Sequence, residues 1–283
     1  MGAERMKRFI KGVPLLFTFL SAQDLSITTG VVGKDARFLL ERPSATYLDS
    51  LRKAARAGQP SAQMAMVEYF QLVDLKPDSA RLYLHMAVKA GVPEAQYLLG
   101  VMYLRGVEGP KRPAEGRRLL EQAAAQNHIL AMRVLYEVLE PPDSLSPLYV
   151  KVLPHDATQA FRYALRAAEL GDAPSMVKVS RYYATGKGTT QNDSLAENWL
   201  LKAAEKGYLP AFTLLAEWYT SSKAWNEEKA RFWAQRVLSN EYAPAEDQIR
   251  ARVALYYAEN FPSWMSWFRQ WLILPPQMTQ SFP

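Results

Sequence analysis

Small, large apolar and polar residues recur along the chain in two alternating arrangements, both with helical spacing. In the first, a turn residue precedes a small residue by four positions: Gly58 and Ala62, Gly91 and Ala95, Asn127 and Ala131, Gly171 and Ser175, Gly207 and Ala211. Four and eight places past the small residue stand large ones: Met66 and Phe70, Leu99 and Tyr103, Leu135 and Leu139, Val179 and Tyr183, Leu215 and Tyr219. Offsets of four and eight share one helix face, which defines a helix A. In the second arrangement a small residue is followed by a ring or leucine at three and a small or apolar residue at seven: Ala80-Tyr83-Ala87, Gly116-Leu119-Ala123, Ala160-Tyr163-Ala167, Ala196-Trp199-Ala203 and Ala230-Trp233-Val237. This is a helix B, whose small residues permit close approach while the ring fills space between hairpins.

The turns follow one another at steps of 33, 36, 44 and 36 residues, the period of helical-hairpin solenoids. No single hairpin can bury its apolar face alone, so the pattern predicts five stacked hairpins and an all-α fold. Residues 44–57, with Leu48, Leu51 and Ala55, predict an unpaired helix at the start. Residues 245–258 and 263–274 predict two closing helices, separated and ended by Pro262, Pro275 and Pro276. The expected layout is a signal-like segment at 1–22, a linker at 23–43, repeats over 44–240 with an insert at 141–154, and capping helices with a tail at 241–283.

The run Ala90-Gly91-Val92-Pro93-Glu94-Ala95-Gln96-Tyr97-Leu98-Leu99-Gly100-Val101-Met102-Tyr103 resembles helix A of the Sel1-like, tetratricopeptide-like repeats. Ala196-Glu197-Asn198-Trp199-Leu200-Leu201-Lys202-Ala203-Ala204 is similar to their helix B, and Gly186-Lys187-Gly188 to the loop between them. The similarity spans residues 48–237. The first, third and fifth units lack the glycine loop, and the third carries Asn127 where the pattern has glycine. The resemblance implies a right-handed superhelical solenoid that binds other proteins or, more weakly, glycan polymers, and that has no active site of its own.

The amino-terminal segment has a basic head, Lys7-Arg8 and Lys11, then the short apolar run Val13-Pro14-Leu15-Leu16-Phe17-Thr18-Phe19-Leu20-Ser21-Ala22. This is the layout of a secretory signal and predicts cleavage near Ala22 and a periplasmic or secreted protein. The competing reading is a buried first helix, which would leave the protein in the cytoplasm. About ten apolar residues fall short of the roughly 20 that span a bilayer, so no transmembrane anchor is expected. No cysteine follows the cut, which argues against a bacterial lipoprotein.

The 283 residues include no cysteine, which removes disulfides, thiol nucleophiles and zinc-thiolate sites from consideration. The net charge of +6 is half contributed by the signal-like segment; the other 261 residues carry 30 bases and 27 acids, and a nucleic-acid partner is not expected from so even a balance. His85, His128 and His155 fall in separate segments without metal-ligand spacing and read as incidental surface or turn residues. A phosphate loop through Lys187 would need glycine at 181 and a hydroxyl at 188, positions held by Arg181 and Gly188. No esterase elbow occurs. No catalytic, cofactor-binding or metal-binding residue is therefore assigned, and no cofactor is expected.

A partner surface is expected along helix A, at the third, seventh and tenth residues counted from the small position. Across units this stripe reads Met64, Glu68, Gln71; Tyr97, Val101, Leu104; Arg133, Glu137, Glu140; Val177, Arg181, Ala184; Thr213, Glu217, Thr220. Arg133, Glu137, Arg181 and Glu217 would supply specificity and Tyr97 contact area, with Val101 a further partner-binding candidate of the stripe. Two further candidates are the proline-bounded insert, with Tyr149, and the carboxy-terminal aromatic face, with Trp264 and Trp267. The functional expectation is an exported protein-binding module without catalytic activity. By resemblance to Sel1-like proteins that neutralise secreted antibacterial phospholipases, it fits an immunity protein. The alternatives are a periplasmic scaffold for an envelope or polysaccharide-export assembly and, less favoured, an enzyme acting on cell-wall glycan.

Overall fold

A computed structural model of the protein describes residues 43–107, 110–140, 154–221 and 224–260. The signal-like segment, nearly all of the insert with Tyr149, and the aromatic tail with Trp264 and Trp267 lie outside the described residues. The described residues form helices and no strand, and fall into two compact units, residues 1–156 and 157–283. In the first unit are α1 (Ala45–Arg56), α2 (Pro60–Leu72), α3 (Pro77–Lys89), α4 (Pro93–Arg105), α5 (Pro113–Ala125) and α6 (Ile129–Leu139). In the second are α7 (Ala157–Glu169), α8 (Ala173–Thr185), α9 (Asp193–Glu205), α10 (Leu209–Thr220), α11 (Glu227–Leu238) and α12 (Ala245–Asn260). Even-numbered helices from α2 to α10 are the expected helix A, and odd-numbered helices from α3 to α11 the expected helix B.

Within the first unit α2 packs with α3 and α4 with α5 as hairpins, α1 lies on α2, and α6 on α5. Within the second, α8 pairs with α9 and α10 with α11, α7 lies on α8, and α12 packs on both α10 and α11. The division between units falls in the third repeat, between its helix A and its helix B, where the insert interrupts the period.

Most of the residues that build the pattern fill the core, although Tyr103 and Tyr183 of helix A and Tyr163, Trp199 and Trp233 of helix B are half-buried. Met66, Leu99, Leu135, Val179 and Leu215 are all buried, as are the helix B residues Ala87, Ala123, Ala167, Ala203 and Val237. Small side chains let helices meet closely. A methyl group on Gly116 of α5 would sit 2.7 Å from the Gly100 carbonyl oxygen of α4, and one on Gly100 2.9 Å from Leu120 Cγ, so this hairpin crosses glycine on glycine. Helix starts are marked by proline in the first turn of α2, α3, α4, α5, α8 and α10, where the missing N–H costs no hydrogen bond. Side-chain caps from Ser44, Asp172, Asn192 and Asn226 serve α1, α8, α9 and α11.

Asn127 adopts φ +65°, in the left-handed region that Gly91 (+79°) and Gly207 (+75°) occupy in the equivalent turns. Asparagine tolerates that region better than other side chains do, which explains how the third repeat keeps the turn. The α8–α9 loop needs its second glycine for space: a methyl on Gly188 would lie 2.2 Å from the Ala157 carbonyl oxygen. The α2–α3 connection has no such glycine, and Leu75 takes φ +51° there.

Candidate partner-binding surface

The helix A stripe divides into inner and outer members. Tyr97, Leu104, Glu140 and Thr213, at third and tenth positions, are buried, while Met64, Gln71, Val177, Ala184 and Thr220 at the equivalent positions of other repeats are half-buried. The seventh position remains open to solvent: Glu68, Val101, Glu137 and Glu217 are half-buried, and Arg181 is exposed. Arg133 is half-buried. Tyr97, expected to supply contact area, is only 7% exposed and packs its ring on His128 at 5.0 Å. In the first unit the open row is thus Glu68, Val101 and Glu137 on α2, α4 and α6. In the second it is Arg181 on α8 and Glu217 on α10.

Glu217 is not a lone carboxylate. Arg250 of α12 donates from Nε to one oxygen at 2.6 Å and from a terminal nitrogen to the other at 2.5 Å. The hydrogen bond to Glu217 raises the Arg250 pKa above the ordinary guanidinium value, against the lowering effect of burial, so the pair holds its charges in a bidentate fork. Sequence reading missed Arg250, although the two residues stand 33 positions apart, the length of one repeat.

The same one-repeat separation recurs in the first unit, 34 positions from Glu94 to His128 and 35 from Gly91 to Gln126. His128 caps α6 by accepting the Ala131 N–H at Nδ1, 3.2 Å away, so that Nε2 carries the proton given to Glu94 Oε2 at 2.6 Å. Gln126 donates to the Gly91 carbonyl and to Gln96 Oε1, each at 3.0 Å. These bonds tie the start of α4 to the start of α6. His128 is a turn residue, as its position suggests, but it is a structural clamp rather than an incidental one.

In the second unit Tyr219 donates its hydroxyl hydrogen to Glu197 of α9, and Lys229 Nζ of α11 lies 3.3 Å from the same hydroxyl. Burial first, then the bond to Glu197, pushes the Tyr219 pKa well above the usual phenol value. A phenol held protonated in this way is a fixed donor and not a general base at neutral pH. On α11 the Arg236 guanidinium rests on Phe212, Trp233 and Phe232 at 4.8, 5.5 and 5.6 Å, with Phe232 51% exposed. Among the described residues no cluster of three or more histidines or carboxylates is placed to hold a metal ion.

Hairpins of this length, with small residues at the crossings and a mixed row of side chains left open on helix A, define an α-hairpin repeat protein. The Sel1 repeat model matches residues 93–128, 151–172, 173–208 and 214–236, and the chain is a Sel1-like repeat protein. The structure is similar to that of a Sel1 repeat protein from Oxalobacter formigenes, with a TM-score of 0.55 and 20% identity over 75% of this chain and 98% of that one. A protective antigen of uropathogenic Escherichia coli strains that displays an SLR fold matches with a TM-score of 0.40 and 18% identity, over 82% of this chain and 60% of the antigen. No curated protein matches the chain in sequence. Sel1 repeats make the chain a protein–protein interaction module, of a repeat type that is ordinarily an interaction scaffold and not a catalyst. No helix among the described residues is long and apolar enough to cross a membrane.

Proposed function

We propose that this module works by gripping one partner protein along the open helix A row, and that the partner is a secreted antibacterial lipase-type effector, which it neutralises after export. The observation that carries the binding surface is the seventh position of helix A, which is half-buried or exposed in every repeat, whereas the third and tenth positions are buried in some repeats and half-buried in others. A row that is not consumed by packing is free to vary in chemistry. It does so here, with carboxylates and valine in the first unit and an arginine and an ion pair in the second. Charges of this kind steer association and reject wrong partners more than they add raw affinity. The effector class and the export step are supported by the resemblance to immunity proteins and by the signal-like segment.

The test is a binding measurement between the purified chain and the product of a lipase-type toxin gene from its own neighbourhood, alongside survival of cells exposed to that toxin. The double reversal Arg133→Glu with Arg181→Glu is expected to weaken capture at least tenfold, about 1.4 kcal/mol, with an unchanged circular dichroism spectrum. Capture of a constitutive envelope or polysaccharide-export component in place of the toxin would replace the immunity reading with that of a scaffold. Binding that survives the reversal but is lost on deleting residues 143–153 would move the interface to the insert and Tyr149.

A further inference from the structure

The last described helix, α12, is buried along one side only. Ala251, Ala254 and Ala258 face the body of the second unit and are at most 2% exposed. On the opposite side Ile249, Val253 and Tyr256 are 60%, 48% and 57% exposed. Their spacing of four and three places them in a single stripe about 10 Å long. Helix α10, one repeat earlier, shows the contrast: Leu215, Ala216 and Tyr219 are 0%, 0% and 3% exposed, because that helix is covered by neighbours on both sides. An apolar stripe of this kind on a terminal repeat needs a cap to keep it from water.

We propose that the carboxy-terminal segment, residues 263–274, is that cap and docks on the Ile249–Val253–Tyr256 stripe of its own chain. Three properties of the chain select this occupant. The chain continues for 23 residues past Asn260, enough for a helix as long as the stripe. Pro262 stops α12 from running on, and a connection of two to five residues is what joins antiparallel helices. Trp264, Trp267 and Trp271 stand at spacings of three and four, which puts them on one helix face. Antiparallel docking then sets Trp264 near Tyr256, Trp267 near Val253 and Trp271 near Ile249. A second copy of the chain would have to outcompete a tethered segment whose effective concentration is in the millimolar range. Trp264 and Trp267 are on this account intramolecular anchors, and the interface with a partner protein lies elsewhere.

The absence of cysteine allows a direct test in the full chain. Val253→Cys is a small change at a half-exposed site, and its thiol is expected to react with a maleimide at least tenfold more slowly in the full chain than after removal of residues 261–283. The pair Val253→Cys with Trp267→Cys is expected to oxidise within one chain, as read by peptide mass spectrometry at submicromolar protein. Equal maleimide rates with and without the tail would overturn the proposal. So would a disulfide that forms only between chains together with a two-chain mass in light scattering, which would assign the stripe to a second copy. If the truncated protein fails to fold, the thiol rate in the urea-unfolded full chain provides the unprotected reference.

Discussion

Leu75 holds a left-handed backbone conformation without glycine's freedom, at φ +51° and with its side chain 47% exposed. An L-residue pays roughly 1–2 kcal/mol for that region, whereas glycine loses about 0.5–1 kcal/mol more entropy on folding. Leu75→Gly is therefore expected to leave the protein equally stable or stabilise it by up to about 1 kcal/mol, as read from a urea midpoint. Gly116 presents the opposite case. A methyl 2.7 Å from the Gly100 carbonyl has backbone against it, which cannot rotate away, so Gly116→Ala is expected to separate α4 from α5 and cost about 1–3 kcal/mol. Gly116 stands out in the sequence only in part, as a small residue of helix B by its spacing, since the close approach of Gly100 is a fact of crossing geometry; nothing in the order of residues marks Leu75.

At the scale of the helix, the aromatic positions of helix B are less uniform than their spacing suggests. Tyr83 and Leu119 are buried, while Tyr163, Trp199 and Trp233 are half-buried. Trp233 stacks on Phe212 of α10 with ring centres 5.4 Å apart, which ties the two helices of one hairpin together. Trp199 is covered by Lys202 of its own helix, with Nζ 4.3 Å from the ring centre. Full burial would make either truncation to alanine worth about 3–5 kcal/mol. Half-burial lowers that, and the expected order is Trp233→Ala at about 2–3 kcal/mol and Trp199→Ala at about 1–2 kcal/mol, measured by thermal melts. The Glu217–Arg250 fork joins α10 to α12 at the surface, with side chains 39% and 37% exposed. Arg250→Met is expected to cost under about 1 kcal/mol and to leave Glu217 without this guanidinium partner. Periodicity places helix A and helix B correctly because it records which face is apolar. It is silent on how far each ring is covered, since that depends on the helix lying opposite.

Across the whole molecule, stability in a repeat protein is a sum over units and their nearest neighbours. The loss caused by Gly116→Ala is therefore expected to stay local: amide exchange should speed up in α4 and α5 and remain unchanged in α10 and α11. Uniform acceleration along the chain would show instead that the repeats unfold as one. The fold class, the alternation of helix A with helix B, the turns at Gly91, Asn127, Gly171 and Gly207 and the small and aliphatic core positions were set by local spacing, because a helix advances by a fixed angle per residue and each apolar face must be buried. The tertiary structure alone decided which stripe residues remained open. Tyr97 and Arg181 occupy neighbouring places in the same repeat pattern, but the first is held under His128 and the second faces water. It also paired Glu217 with Arg250 and Glu94 with His128, each about one repeat apart, since burial and pairing depend on the surfaces that adjoining helices bring together, and a single helix's sequence does not contain those surfaces.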